Sequence, residues 1–189
     1  MTSRDQILSS ARAALHRKAN DPISPPPPIL LKQCPTENLV DQFAKALTAL
    51  AGNVVVVNTQ AEADDAVEKI VNGRTSAIPP ASREICATID VGITSADYAL
   101  ADTGSLVMFS ESHESRLLSL LPPCHIAVIG RSKIVPSLDD VLRLRPMPGD
   151  RSSAMVVITG PSRTGDIEMR LVRGGHGPGE VHVVIIESL

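Results

Sequence analysis

The chain has 189 residues, a length that fits one domain with an appendage. Its 18 Lys and Arg against 21 Asp and Glu leave a net charge of −3, which excludes the basic footprint of a nucleic-acid binder. With no Trp, one Tyr and two Phe, it also lacks the stacking platforms of single-strand binders and of aromatic carbohydrate clefts. The longest apolar run falls far short of the ~20 residues that span a bilayer. Cys34, Cys86 and Cys124 form no CxxC pair, zinc spacing or even disulfide set, so they read as isolated thiols in a reducing cytoplasm.

Met1 to Lys18 has no continuous apolar core and no small-residue cleavage site, so it does not read as a signal peptide. Ile7, Ala11 and Leu15 are spaced i, i+4, i+8, which predicts an amphipathic helix. Asp21 to Pro28 holds five prolines in eight residues and reads as a semi-rigid, polyproline-like linker. Such a run can also dock an SH3-type partner. Residues 1–28 are therefore expected to form a helical arm, and residues 29–189 the main domain.

That domain opens with a helix capped by Thr36, with Leu39, Val40, Phe43, Leu47 and Leu50 on one stripe and Gly52 at its end. Val54 to Val57 is a continuous β-branched run, the pattern of a strand covered on both faces. Thr59 caps a second helix with Ala63, Val67, Ile70 and Val71 inward, ending at Gly73, and Ser76 to Ile78 reads as a short strand. Further strands are expected at Tyr98–Ala101, Leu106–Phe109, His125–Ile129, Met155–Thr159 and Val181–Ile186. Helices are expected between them near Ser115–Leu121, Ser137–Leu144 and Asp166–Arg173. The alternation predicts an α/β fold with one mixed, mostly parallel sheet and helices on both faces.

Three strings concentrate polar and glycine residues. The first is Asp102-Thr103-Gly104-Ser105, which is also the aspartic-protease tetrad. That enzyme needs two such loops, so that two carboxylates share a proton, and an all-β chain; one copy in an α/β pattern excludes it. A tight turn remains, with Gly104 at positive φ and Asp102 bonding backbone amides. The second string, Thr159 to Glu168, follows a strand and precedes an expected helix. Gly160, Ser162 and Thr164 offer backbone amides at a helix start, and Arg163 adds a planar fork, together an anion cradle. A plain helix cap with Arg163 paired to Asp166 or Glu168 explains the same residues equally well, and no P-loop Lys follows the glycine. The third string, Gly174 to Glu180, sets His176 and Gly177 in a loop whose glycines let a ligand approach the backbone. His125 and His182 sit within apolar strands and read as structural, while His16 and His113 read as solvated. The histidines show no ligand spacing, so no metal site is expected.

Taken in order, ITSADYALADTGSLVMFS (93–110), SLLPPCHIAVIGRSKIVPSLDDVL (119–142) and TGPSRTGDIEMRLVRGGHGPGEVHVVII (159–186) resemble the lactate-utilisation protein C, or LUD-domain, family. The opening RDQILSSARAAL is similar to that family's first helix. The resemblance implies a fold like that shared by sugar-phosphate isomerases and coenzyme A transferases. It also implies a role in oxidising L-lactate to pyruvate alongside iron–sulfur partner proteins. The family's signature positions fall on Asp102, Thr103, Gly104, Gly160, Pro161, Ser162, Arg163, Thr164, Asp166, Glu168, His176 and Gly177. These are ligand-contact candidates, with Asp102, Glu168 and His176 as the groups able to move a proton. Gly175 stands where the family more usually has a β-branched residue. Longer relatives append a ferredoxin-like segment with clustered cysteines; this chain has no such cluster, so iron–sulfur clusters are expected in its partners and no cofactor in the chain itself.

Two functions follow as expectations. One is an accessory or ligand-binding subunit of a cytoplasmic lactate-oxidation system, binding a small anion such as lactate or pyruvate. The other is a stand-alone enzyme acting on a coenzyme A thioester or a sugar phosphate. There Arg163 and the amides near Ser162 would hold the anion, Asp102 or Glu168 would act as base, and His176 as proton donor. A purely structural adaptor, recruiting partners through its Pro-rich arm, is the third possibility.

Overall fold

A computed structural model of the protein describes residues 2–16, 18, 35–110, 116–145, 154–164 and 172–189. The chain divides into two units, 1–31 and 32–189. In the first, α1 (Ser3–Ala14) starts with a capping box: the Thr2 hydroxyl accepts from the Asp5 amide, and the Asp5 carboxylate accepts from the Thr2 amide. Its apolar stripe is exposed, with Ile7 and Leu15 each 67% accessible. The Pro-rich linker lies outside the described residues.

The second unit contains a parallel sheet of five strands in the order β1-β11-β6-β3-β2. These are β1 (Asn53–Val57), β2 (Ser76–Ala77), β3 (Val91–Ser95), β6 (Cys124–Gly130) and β11 (Glu180–Ile186). Central strands β6 and β11 run apolar because helices or a second sheet cover both faces. On one face Ile126, Val184 and Ile186 pack against Ala63, Val67 and Ile70 of α3 (Gln60–Val71). On the other, Ala127, Ile129, Val183 and Ile185 meet Phe43 and Leu47 of α2 (Leu39–Ala49). The expected parallel sheet with helices on both faces is thus present.

The expected single sheet is, however, divided. β4 (Tyr98–Leu100), β5 (Ser105–Phe109), β7 (Ile134–Val135) and β8 (Met155–Ile158) form a separate mixed sheet in the order β7-β4-β5-β8. Every residue of β5 is buried: Leu106 and Met108 face the α2 core, while Val107 and Phe109 face Val141 and Leu138 of α5 (Leu138–Leu144). Strand alternation alone does not say which strands share hydrogen bonds, and the antiparallel β4–β5 hairpin draws its neighbours into a sheet of their own.

Other expectations change locally. The α2 cap is Asn38, in the left-handed conformation, rather than Thr36. A short helix α4 (Arg83–Thr88) and strand β3 precede Tyr98, capped by the Ser82 hydroxyl on the Ile85 amide. The helix near Ser115–Leu121 is a single 3-10 turn, Arg116–Ser119, pressed so closely on β3 that a Cβ at Gly92 would meet the Leu118 carbonyl oxygen at 1.9 Å. The helix at Asp166–Arg173 is not formed at its end: β10 (Val172–Arg173) pairs antiparallel with β9 (Arg163–Thr164). Residues 165–171 lie outside the described residues.

Candidate functional site

The first string is the β4–β5 turn, closed by the Gly104 amide donating to the Leu100 carbonyl. Gly104 has φ +67°, and a Cβ there would lie 2.4 Å from the Leu47 amide nitrogen, so the turn is seated on the α2 backbone. Asp102 is exposed, and its own amide donates to the Pro136 carbonyl. The expected carboxylate–amide bonds are replaced by hydroxyl contacts: Thr103 Oγ1 lies 2.7 Å from Ser105 Oγ, and Ser105 Oγ lies 2.8 Å from Thr159 Oγ1.

That last contact joins the first string to the second. Gly160, at φ +77°, turns the chain past Leu50 at the end of α2. The exposed Arg163 donates through Nη2 to the Leu50 carbonyl oxygen, so its fork serves as a clasp on the α2 terminus. Thr164 lies in β9, while Asp166 and Glu168 fall outside the described residues. The anion cradle is expected at a helix start; Arg163 and Thr164 instead pair with β10, and the Ser162 amide is taken by the Pro178 carbonyl.

Ser162 then joins the second string to the third. Its amide donates to the Pro178 carbonyl at 2.8 Å, its carbonyl accepts from the Gly174 amide at 3.0 Å, and its hydroxyl accepts from the His176 amide at 3.4 Å. Gly177 packs against Ser162, 3.5 Å from its side chain to where a Cβ would stand. The three strings therefore form one hydrogen-bonded succession. Convergence at the carboxyl ends of the strands, the usual ligand position in open parallel sheets, is not how they meet. The His176 loop precedes β11 and stands at the amino end of the sheet. The carboxyl ends instead border an apolar cavity of 340 Å³ walled by Ile78, Ile93, Val128 and Ile186, with none of the expected site residues.

Beside the His176 loop lies an open cleft of 820 Å³, bounded by Leu120, Leu121, Pro123, the Gly174–Gly179 backbone and Glu180. His176 is exposed on its wall. The loop is held to the sheet where the Gly179 and Glu180 amides donate to the Pro123 carbonyl. Of the expected site residues, His176 and Gly177 line this cleft and Ser162 bonds to its loop, whereas Asp102, Thr103 and Gly104 do not line it.

One polar grouping escaped the sequence reading. Cys124, Glu180 and His182 cluster at the amino ends of β6 and β11, with Arg74 donating to the Glu180 carboxylate at 3.2 Å. Burial pushes the Cys124 thiol up to about 11 and lowers His182. Glu180, against the effect of its partial burial, is held below the ordinary carboxyl value by the Arg74 guanidinium. The signal was faint: Glu180 and His182 at i, i+2 share a strand face, but Cys124 joins them only through register. His125, read from the sequence as structural, is fully buried. Its Nε2 lies 2.9 Å from Thr94 Oγ1, its Nδ1 has no partner among the described residues, and burial lowers it to about 4.

Among the described residues no helix is long and apolar enough to cross a membrane. The chain is similar to Lactate utilization protein C of Halalkalibacterium halodurans, 43% identical over 103 residues that cover 52% of this chain and 45% of that one. The proteins of the same name from an Exiguobacterium species and from Bacillus subtilis are 39% and 40% identical, covering 60% and 52% of this chain and 51% and 43% of theirs. The chain thus spans about half the length of the curated relatives it matches. A solved DUF162 family protein from Deinococcus radiodurans superposes with a TM-score of 0.61 at 20% identity, over 78% of this chain and 96% of that one, which shows a shared fold. Residues 80–186, carrying all three strings and the cleft they adjoin, match the LUD domain, and the chain belongs to the LUD domain family.

Proposed function

We propose that this chain works in cytoplasmic lactate utilisation as a ligand-binding or accessory subunit, beside iron–sulfur proteins that take the two electrons released when L-lactate becomes pyruvate. The observation that supports it best is the hydrogen-bonded succession of three strings beside an open cleft, in a chain similar to proteins named Lactate utilization protein C. The cleft is roomy for a three-carbon acid. His176 supplies a titratable donor, and the glycine backbone lets a carboxylate approach closely.

A thermal-shift panel on the purified chain tests this, with lactate, pyruvate, acetyl-coenzyme A, coenzyme A and several sugar phosphates. A ligand at a hundred times its Kd stabilises by about 2.7 kcal/mol. The expected result is a shift with lactate or pyruvate that is lost in His176→Ala. A shift confined to coenzyme A compounds or sugar phosphates would overturn it in favour of a stand-alone enzyme. One observation favours that second reading: His176 and Glu180 border the same cleft, an imidazole and a carboxylate of the kinds that serve as acid and base. It would require Arg163 to leave the Leu50 carbonyl before holding an anion.

A further inference from the structure

We infer that Cys124, Glu180 and His182 form a site for a divalent transition-metal ion of the zinc type. Cys124 and Glu180 are register partners at the amino ends of adjacent parallel strands, and His182 follows two residues on, so the pleat turns all three to one face. The thiol sulfur, a carboxylate oxygen and an imidazole nitrogen lie within 4.8 Å of one another, with His182 Nε2 3.7 Å from Glu180 Oε2. Zinc–sulfur and zinc–nitrogen bonds of about 2.3 and 2.0 Å put tetrahedral ligand atoms roughly 3.3–3.7 Å apart. Side-chain rotation of about 1 Å, from the exposed Glu180 above all, closes the set. Thiolate with imidazole is the donor chemistry of zinc and its neighbours, not of calcium or magnesium. Glu180 also walls the cleft, so this edge of the cluster borders solvent while Cys124 is buried behind it.

Arg74 is the competitor. Its guanidinium reaches Glu180 at 3.2 Å and the Cys124 sulfur at 3.8 Å while donating to the Ile70 carbonyl at 2.8 Å, and so supplies the positive charge this pocket calls for. Metal binding exchanges that guanidinium for the ion and releases the Cys124 thiol proton to the buffer, leaving a thiolate ligand. His125, though buried, is no part of the set: it lies on the opposite face of β6 and bonds to Thr94.

The test is titration of the full, tag-free chain with cobalt(II), read by the thiolate charge-transfer band, followed by displacement with zinc. One equivalent is expected, with the band lost in Cys124→Ser, affinity at least tenfold weaker in His182→Ala, and affinity about tenfold tighter in Arg74→Ala. No thiolate band in the unaltered chain, or a band that survives Cys124→Ser, overturns the site. Unchanged or weaker binding in Arg74→Ala overturns it as well, because the cluster would then need its guanidinium. Circular dichroism confirms that each variant is folded, and the unaltered chain and Arg74→Ala decide the matter if His182→Ala is not. This inference stands independently of the lactate reading.

Discussion

In the parallel sheet, β11 buries Val181, Val183, Val184, Ile185 and Ile186, and no one of them is irreplaceable. In the sheet beside it, β5 is equally buried, yet the hairpin that carries it depends on a single Cα at Gly104, 2.4 Å from the α2 backbone measured from where a Cβ would stand. Bulk apolar burial is distributed over many similar side chains, so it tolerates exchange within a volume. A close backbone approach has no such reserve. Of the three strings, the first rests on the second kind of contact at Gly104, while Gly160 packs 3.0 Å from the Leu50 side chain and a hydrogen bond ties Ser162 to His176.

The largest effect that can break this comparison is Gly104→Val. A β-branched residue at φ +67° combines backbone strain with displacement of α2, and a loss of about 4 kcal/mol or outright failure to fold is expected. Urea unfolding reads it directly; a loss under about 1 kcal/mol would show that the turn is as tolerant as the strands.

Next comes the polar exception within the parallel sheet. His125 is lowered to about 4 from an ordinary value near 6.5, so the folded protein prefers it neutral while the unfolded chain protonates first. Its contribution is therefore complete above about pH 6.5 and is lost as pH falls toward 4, amounting to about 3 kcal/mol. Urea unfolding from pH 4 to 8 should show that loss, and His125→Gln should flatten it. Parallel curves for the two proteins would place the acid sensitivity elsewhere.

Ile185→Val sharpens the other half of the comparison. Removing one methylene from a fully buried strand residue should lower stability by about 1 kcal/mol and leave the cooperativity of unfolding intact. The smallest effect is expected at Arg131→Ala, whose bond to Glu187 is largely exposed; a change of at most about 0.5 kcal/mol in the same unfolding measurement is predicted.

The strands and long helices were legible because their signal is local. Val54–Val57 and Val181–Ile186 are strands as expected, but β1, flanked only by β11, is an edge strand with Val56 47% exposed rather than covered on both faces. The α3 stripe of Ala63, Val67 and Ile70 faces the sheet as its spacing required. Short elements were not: α4 spans six residues with Ile85 46% exposed, too little periodicity to stand out. The end of the helix expected at Asp166–Arg173 is a strand because Val172 and Arg173 find backbone partners in Thr164 and Arg163, a choice that local spacing does not encode. At the candidate site, the three strings themselves were visible as clusters of glycine and hydroxyl residues. Arg163 was ambiguous in the sequence, because a fork suited to an anion also suits a helix-end carbonyl, the partner it has in the structure.

The α/β class, the family and the three strings were readable from the residues alone, since each rests on short local patterns in the chain. That the described strands divide among three sheets, that Ser162 joins the strings, and that Cys124, Glu180 and His182 meet are outcomes of the three-dimensional packing. Those outcomes depend on which strands pair and in what register. Pairing is settled by burial of whole faces across distant segments, a quantity that no local window of sequence contains.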